Sequence, residues 1–332
     1  MIFENENGLP VGFSVYKGNL HSHTTNSDGH LNPKESAEMF CAHGYSFLCL
    51  SEHDLFTDYR EELNTDSFII LPGLEASCYL FGNTGAKRPM KCHHMNGILG
   101  TEAMQKEAPL HFSHKEKLPP TVRIENWDGE AEGQALIDTL HQHGCLVTYN
   151  HPIWSRVEPQ EIRDLDGIWA LEIYNYDTVN ESATGADTTY WDMILRSGKQ
   201  LFAVASDDNH NPGTFDDACG GWIMVFAKAL TYEDILQAMI RGDYYSSSGP
   251  EIYGWGVKDD AVWVECSACE RINFICGGLV GAGETKIAPS RDGLRCSTMP
   301  LSGTETYVRV ECVDYNGKKA WTNAIFLKPI VQ

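Results

Sequence analysis

The chain has 332 residues, of which 42% are hydrophobic, and its formal net charge is −21. This length and composition are typical of a globular protein with room for more than one domain. The acidity disfavours binding to long nucleic acid, because a phosphate backbone would be repelled. No apolar run approaches a membrane span and no signal-peptide pattern opens the chain, so we expect a cytoplasmic protein without membrane contact.

Short apolar segments with strand character alternate with amphipathic helical segments up to about residue 250. Predicted helices begin at Asn32-Pro33, where a capping residue precedes a first-turn proline, and cover 130–143 and 188–197. This alternation is typical of a parallel α/β architecture. The predicted strands are, in chain order, 13–20, 45–51, 68–74, 93–100, 146–150, 169–175 and 201–206.

The remaining segments divide the chain into two predicted domains. Residues 101–128 are rich in proline and are interpreted as an insertion. A strand at 222–227 and a helix at 231–242 complete a first domain of residues 1–250. From 251 to 332, strand segments separated by Gly, Ser and Asn-Gly turns predict a small antiparallel β-domain that resembles a sandwich and has no helix.

The eleven cysteines form no disulfide framework and are expected to be reduced core residues. One CxxC motif, Cys266 to Cys269, has no second pair at zinc-ribbon spacing. We therefore interpret it as part of the core rather than as a metal or redox site.

Residues of the types that ligate metals lie at or directly after the ends of most of the predicted strands. At the carboxyl ends of parallel strands such residues meet at one edge, where barrel enzymes build their sites. On an extended strand, positions i and i+2 face the same way, so His21 and His23 point together, as do Asp208 and His210. Imidazole and carboxylate ligands suit Zn, Mn or Fe. The residues concerned are His21, His23, Glu52, His53, Asp54, Glu75, His93, His94, Asn150, His151, Glu172, Asn175, Asp207, Asp208, Asn209 and His210.

Other histidines fall outside this pattern. They lie on predicted loops or helices, and we interpret them as ordinary hydrogen-bonded residues. They are His30, His43, His111, His114, His141 and His143.

Six segments carry a resemblance to a known family. GNLHSHTTNSDG, SEHD, GLEAS, HHMNGILG, YNHP and ASDDNH resemble, in this order, the motifs of the PHP (polymerase and histidinol phosphatase) superfamily. The resemblance covers about residues 15 to 250. It implies a distorted (β/α)7 barrel that holds two or three divalent metal ions, most of whose characterised members hydrolyse phosphoesters. The segment SSSGPEI and the β-domain after it also resemble a subgroup in which a small sandwich follows the barrel.

The resemblance implies a specific ligand set. At the fourth motif, His94 is preferred over His93 because H-x-N fits the family pattern better. Asp28 stands where some trinuclear members have histidine, which leaves the third ion open, and Glu52 stands where aspartate is usual. The implied metal ligands are His21, His23, Asp28, His53, Glu75, His94, His151, Asp208 and His210.

The implied activity is hydrolysis of a small phosphate ester, with a nucleotide as one candidate substrate. The resemblance implies a two- or three-metal site in which metal-bound hydroxide attacks and Glu75 bridges two ions. The predicted catalytic residues are Glu75, Asp208, His210 and Arg156, with Arg156 as a phosphate clamp and Lys17 and Arg60 as further candidates. The alternatives are a metal-dependent hydrolase of an amide or lactone bond and a non-catalytic PHP scaffold.

Overall fold

The computed structural model describes residues 12–83, 85 and 87–327, which form a mixed α/β structure. The strands are β1 (Ser14–Asn19), β2 (Phe47–Leu50), β3 (Leu55–Thr57), β4 (Ile69–Leu80), β5 (Lys91–Leu99), β6 (Lys115–Lys117), β7 (Thr121–Arg123), β8 (Cys145–Tyr149), β9 (Ile168–Asn175), β10 (Phe202–Ser206), β11 (Trp222–Ala227), β12 (Tyr244–Ser247), β13 (Ile252–Lys258), β14 (Ala261–Cys269), β15 (Arg271–Cys276), β16 (Gly283–Ile287), β17 (Leu294–Pro300), β18 (Tyr307–Val313), β19 (Lys319–Thr322) and β20 (Ile325–Phe326).

The helices lie between strands in the first 250 residues. They are α1 (Pro33–Ala42), α2 (Arg60–Leu63), α3 (Glu102–Glu107), α4 (Gly129–Gln142), α5 (Pro159–Arg163), α6 (Tyr176–Ser182), α7 (Thr188–Arg196) and α8 (Tyr232–Arg241). Helix α1 begins as predicted, because the Asn32 side chain accepts from the backbone of Lys34 and Glu35 and completes a capping box. Among the described residues, no helix combines the length and the apolar character that a membrane crossing requires.

Seven strands form a continuous series of pairings around the metal-ligand residues. Strands β1, β2 and β4 pair in parallel, and so do β8, β9 and β10. Strand β5 lies between the two groups. A parallel bridge between Ser22 and Asn209 links the segment after β1 to the segment after β10, so the series returns to its start.

Strand β5 departs from the predicted parallel arrangement. It runs antiparallel to both β4 and β8. Only residues 81–90 separate β4 from β5, and a connection this short can only join antiparallel neighbours. Because β5 is reversed, its beginning lies at the edge where the parallel strands end. His94, the fourth residue of β5, therefore lies at the same edge as the other ligand candidates.

The segment 101–128, predicted as an insertion, has local structure of its own. It contains α3, β6 and β7. Strand β6 pairs with β3, and β7 extends the parallel edge of β4. The insertion is thus attached to β3, which follows His53, and to β4, which carries Glu75.

The region after residue 251 consists of strands in its described part, as predicted. Strands β13, β14 and β17 form one antiparallel sheet, while β16, β15, β18 and β19 form another that continues into β12. One apolar cluster includes residues of both sheets, among them Val264 and Val310. The predicted boundary between 250 and 251 stays a prediction, and residues 1–11 and 328–332 of the two predicted domains lie outside the described residues.

Candidate metal centre

His21 and His23 follow β1 and point into one buried space. Both side chains are fully buried, and their Nε2 atoms are 3.2 Å apart. Asp208 Oδ1 lies 3.0 Å from each of these nitrogen atoms. The backbone of Asp208 adopts a left-handed conformation, with φ of 59°, that costs energy in a residue with a side chain. This turn after β10 holds the Asp208 carboxylate against the two histidines.

Glu75 is the centre of the cluster. Its side chain comes from the middle of β4 and is fully buried. Both of its oxygen atoms are surrounded by imidazoles from separate segments. Oε1 lies 3.2 Å from His21 Nε2, 3.2 Å from His94 Nδ1 and 3.3 Å from His151 Nε2, and Oε2 lies 2.8 Å from His53 Nδ1 and 3.6 Å from His23 Nε2.

Asp28 lies at the open side of the cluster. Its carboxylate oxygens are 3.5 Å from His53 Nε2 and 3.4 Å from His210 Nε2. Asp28, His53, His210 and His23 offer ligand atoms that all lie within 4.8 Å of one another. The loop after His23 thus folds back over the site and adds a carboxylate to a second group of imidazoles.

Glu52 holds that loop in place. Its carboxylate accepts hydrogen bonds from the backbone N–H of Thr24 (3.0 Å), from the Thr24 hydroxyl, and from Ser27 Oγ (2.6 Å). Glu52 is fully buried and faces the loop rather than the cluster. Its position next to His53 in sequence lets one short segment supply a candidate ligand and anchor the loop that carries Asp28.

The residues fit divalent metal ions. Two ligands about 2.1 Å from a tetrahedral ion lie about 3.4 Å apart, and five nitrogen–oxygen distances here, 3.0 to 3.3 Å, are slightly shorter than that value. Four buried polar atoms of the cluster make no hydrogen bond of regular geometry, although three of them have a polar atom of another side chain within about 3 Å: His23 Nδ1, His53 Nδ1, Glu75 Oε2 and Asp208 Oδ1. Buried polar atoms without such a bond are rare, and a bound ion accounts for several of them together.

The electrostatics of the cluster favour the ionised form of Glu75 but the neutral form of only some of the imidazoles. Burial opposes ionisation of Glu75, but His94, His21 and His53 outweigh it and hold the pKa of the carboxyl well below its usual value. Burial, together with the nearby His53 and His210, lowers the pKa of His23 to about 3, so this imidazole is neutral at pH 7. Burial opposes protonation of His21, His94, His151 and His210, but acidic neighbours outweigh it and raise the pKa of these rings. Metal ions bind ionised carboxylates and neutral imidazoles, so a metal ion would displace protons from these four rings.

Residues behind the cluster orient several of the ligands. Glu172 Oε1 lies 3.0 Å from His21 Nδ1, and Ser155 Oγ lies 3.0 Å from His151 Nδ1. Both contacts leave Nε2 of the histidine facing the cluster. Asn150 donates to Glu75 Oε1 at 2.9 Å. The strand-end positions of Asn150 and Glu172 were visible in the sequence, but their orienting contacts cross between strands and have no signal in it.

The side chains of His93 and His94 point in opposite directions. Neighbouring residues of a strand point to opposite sides. His94 Nδ1 contacts Glu75, whereas the His93 ring stacks on Trp127 at a centroid distance of 4.9 Å and contacts the Tyr149 hydroxyl. His93 thus packs behind the strand.

Several histidines outside the strand-end pattern have ordinary hydrogen-bond partners. Nδ1 of His43 and of His143 contacts the carbonyl oxygen four residues earlier, at 2.8 and 2.9 Å, and His141 Nε2 contacts Gly167 O at 3.1 Å. These contacts support their interpretation as structural residues.

A cavity of about 550 Å³ opens onto the cluster. Its wall combines the ligand candidates with the aromatic side chains of Tyr79, Trp154 and Phe215 and with Arg88. Arg156 lies beside it, in a neighbouring cavity of about 410 Å³ that also includes Arg88 and Trp154. The sequence pattern had no signal for Arg88.

The other two cations considered from the sequence have partners elsewhere. Arg60 pairs with Asp58 at 2.6 Å. Lys17 Nζ lies 3.9 Å from the ring centre of Tyr45 and 4.0 Å from that of Trp222, between the two rings. Both arrangements are structural contacts of the kind that stabilise a cation against an aromatic or acidic neighbour.

Among the comparisons with known proteins, only the one with solved structures finds similar proteins. No family model and no curated protein matches the sequence. A solved protein from Bifidobacterium adolescentis ATCC 15703, for which metal-dependent phosphoesterase activity is inferred, is similar over 59% of this chain and 88% of its own, with 13% identity and a TM-score of 0.37. A protein from Bacteroides vulgatus ATCC 8482 is similar over 97% of this chain and 98% of its own, with 13% identity and a TM-score of 0.47. That second neighbour is described as a two-domain protein containing a predicted PHP-like metal-dependent phosphoesterase.

Proposed function

We propose that this chain is a metal-dependent hydrolase that cleaves a small phosphate ester. The observation that carries the proposal is the arrangement around Glu75, whose two oxygen atoms lie within 3.6 Å of five histidines from four segments of the chain. We further propose that the seven paired strands form a distorted (β/α)7 barrel and that residues 251–332 form a sandwich-like domain. The return of the strand series through Ser22 and Asn209 supports the barrel.

Nine residues would hold two or three divalent ions in overlapping sets. Glu75 would bridge two ions, because its two oxygen atoms face different imidazoles. Asp28, with His53 and His210, would complete the outermost set. The inner sets would be His21, His23, Glu75 and Asp208, and Glu75, His94 and His151.

When bound, such ions activate water and neutralise charge on phosphate oxygens. The chain's own part is to hold these ligands in fixed orientations. Glu172 keeps His21 Nε2 directed at the cluster, and Asn150 keeps Glu75 from turning. Ligands held by such contacts need little reorganisation during the reaction.

The cavity suggests how a substrate would be held. Among the described residues that line the cavity at the cluster, Arg88 is the one arginine or lysine, so it is the candidate to bind a phosphate oxygen. Trp154 and Phe215 offer apolar faces to the rest of the ester. Arg156 would then act farther out, in the adjoining cavity, and its predicted catalytic role stays a prediction.

The test is a metal analysis followed by a substrate panel. Protein purified without chelators should contain at least two divalent ions per chain. In the presence of Mn²⁺, Zn²⁺ or Fe²⁺ it should release phosphate from phosphomonoesters, or an alcohol and a phosphomonoester from phosphodiesters. Glu75→Gln, which keeps the side-chain shape, should lower the rate at least about 100-fold. Hydrolysis of amide or lactone substrates without hydrolysis of any phosphate ester would contradict the proposal, and so would wild-type protein with fewer than two ions in every preparation.

A further inference from the structure

Three buried cysteines converge in the β-rich region, far from Glu75 in the sequence. Cys266 and Cys269 belong to β14, and Cys312 belongs to β18. Their exposed fractions are 1%, 0% and 0%, and all three are free thiols. Their sulfur atoms all lie within 4.8 Å of one another. Two sheets thus contribute to one group of thiols.

A bulge in β14 creates this convergence. On a regular strand, residues i and i+3 point to opposite faces, so the CxxC motif would split Cys266 from Cys269. The register of β14 against β17 shifts, however, between the pair Glu265–Cys296 and the pair Cys269–Leu294. The extra residues on β14 turn the strand locally, and both thiols face the interior.

The surroundings of the three sulfur atoms are apolar. The cluster around them includes Ile252, Val264 and Ile272. A backbone oxygen, Leu294 O, lies 3.9 Å from Cys266 Sγ. Soft sulfur ligands in a compact group select thiophilic ions such as Zn²⁺ or Cu⁺.

We propose that Cys266, Cys269 and Cys312 bind one thiophilic divalent ion, with Zn²⁺ as the best candidate, in a structural site that links the two β-sheets. Sulfur ligands about 2.3 Å from a tetrahedral ion lie about 3.8 Å apart, which is within the 4.8 Å spread observed here. A divalent ion leaves less net charge on three thiolates than a monovalent ion does, and net charge is costly in an apolar interior. Leu294 O, which accepts a hydrogen bond from the Cys266 thiol at 3.9 Å, is the candidate for a fourth ligand.

The structure confirms that Cys266 and Cys269 are buried in the core, and the proposed site would give them a second role. The motif lacks a second pair, but β18 supplies a third thiol from a distant part of the sequence. The site uses sulfur ligands, whereas the centre around Glu75 uses nitrogen and oxygen ligands. The two proposals are therefore independent and can fail separately.

Cobalt substitution of the full-length protein tests the site. Thiolate ligands give Co²⁺ an intense near-ultraviolet sulfur-to-metal charge-transfer band, which imidazole and carboxylate ligands do not give. The wild-type protein, loaded with Co²⁺ under reducing, chelator-free conditions, should show the band, and added Zn²⁺ should abolish it. Cys269→Ser and Cys312→Ser should lose the band and about one Zn²⁺ per chain.

Two controls match these variants. Cys296→Ser removes an exposed thiol of the neighbouring strand β17 and should keep the band. Glu75→Gln should also keep it, even if the centre around Glu75 loses its ions. If Cys312→Ser does not fold, the wild-type spectrum and the Cys269→Ser variant still test the proposed site.

Three outcomes would overturn the proposal. One is a folded wild-type protein without the cobalt band. Another is a zinc content that is unchanged in Cys269→Ser. The third is a disulfide among the three cysteines in freshly purified protein, seen as fewer than the 11 free thiols of the fully reduced chain after unfolding.

Discussion

Glu172 Oε1 lies 3.0 Å from His21 Nδ1, and Glu172 Oε2 accepts the backbone N–H of His151 at 3.0 Å. One carboxylate behind the cluster thus contacts two segments that carry candidate ligands. Glu172→Ala should lower the affinity for divalent metal by about 10- to 100-fold, because His21 loses the contact that orients it. Metal titration of the apo-protein measures this, and Glu172→Gln should recover part of the affinity. An unchanged affinity in Glu172→Ala would contradict the orienting role.

The adjacent histidines of β5, His93 and His94, provide a matched pair of variants. His94→Gln should remove metal and lower phosphate release at least about 100-fold, because His94 Nδ1 faces Glu75 at 3.2 Å. His93→Gln should keep the metal content and lower only the thermal stability, because it loses the contacts with Trp127 and Tyr149. Metal analysis and thermal unfolding of both variants measure the difference. Loss of metal in His93→Gln with retention in His94→Gln would reverse the assignment.

Replacement of Asp28 tests whether the metal centre holds two or three ions. If Asp28, His53 and His210 form a separate set, Asp28→Ala should lower the metal content by about one ion per chain and leave the inner sets occupied. Glu52→Ala should have a similar but weaker effect, since it only releases the loop that carries Asp28. Equal metal content in wild type and Asp28→Ala would show that Asp28 holds no ion of its own.

Kinetic measurements on variants distinguish the roles of Arg88 and Arg156 in substrate binding. Arg88→Ala should lower kcat/KM for a phosphate ester by about 10- to 100-fold, the effect of losing a hydrogen bond to a charged group. Arg156→Ala should have a smaller effect, because Arg156 lines only the adjoining cavity. Lys87→Ala, an exposed cation next to Arg88, is the control and should change little. A larger loss for Arg156→Ala would make Arg156 the phosphate clamp.

Local patterns in the sequence were sufficient for much of the fold. The alternation of strand and helix segments predicted the mixed α/β structure, and the cap at Asn32 placed the start of α1. The period of two along a strand predicted that His21 and His23 point together, and their Nε2 atoms are 3.2 Å apart. These features depend on neighbours a few residues apart, so they can be inferred from the chain alone.

Long-range packing decided the rest. The reversed direction of β5 follows from which strands pair, and it determines that His94 rather than His93 faces Glu75. Arg88 reaches the cavity only because the segment after β4 lies beside Trp154. Cys312 meets the CxxC motif only because a bulge turns β14 toward β18. The sequence alone determined which residue types are available at each strand; which of them meet depended on contacts between distant segments, because strand direction and register are properties of the assembled sheets and not of any single strand.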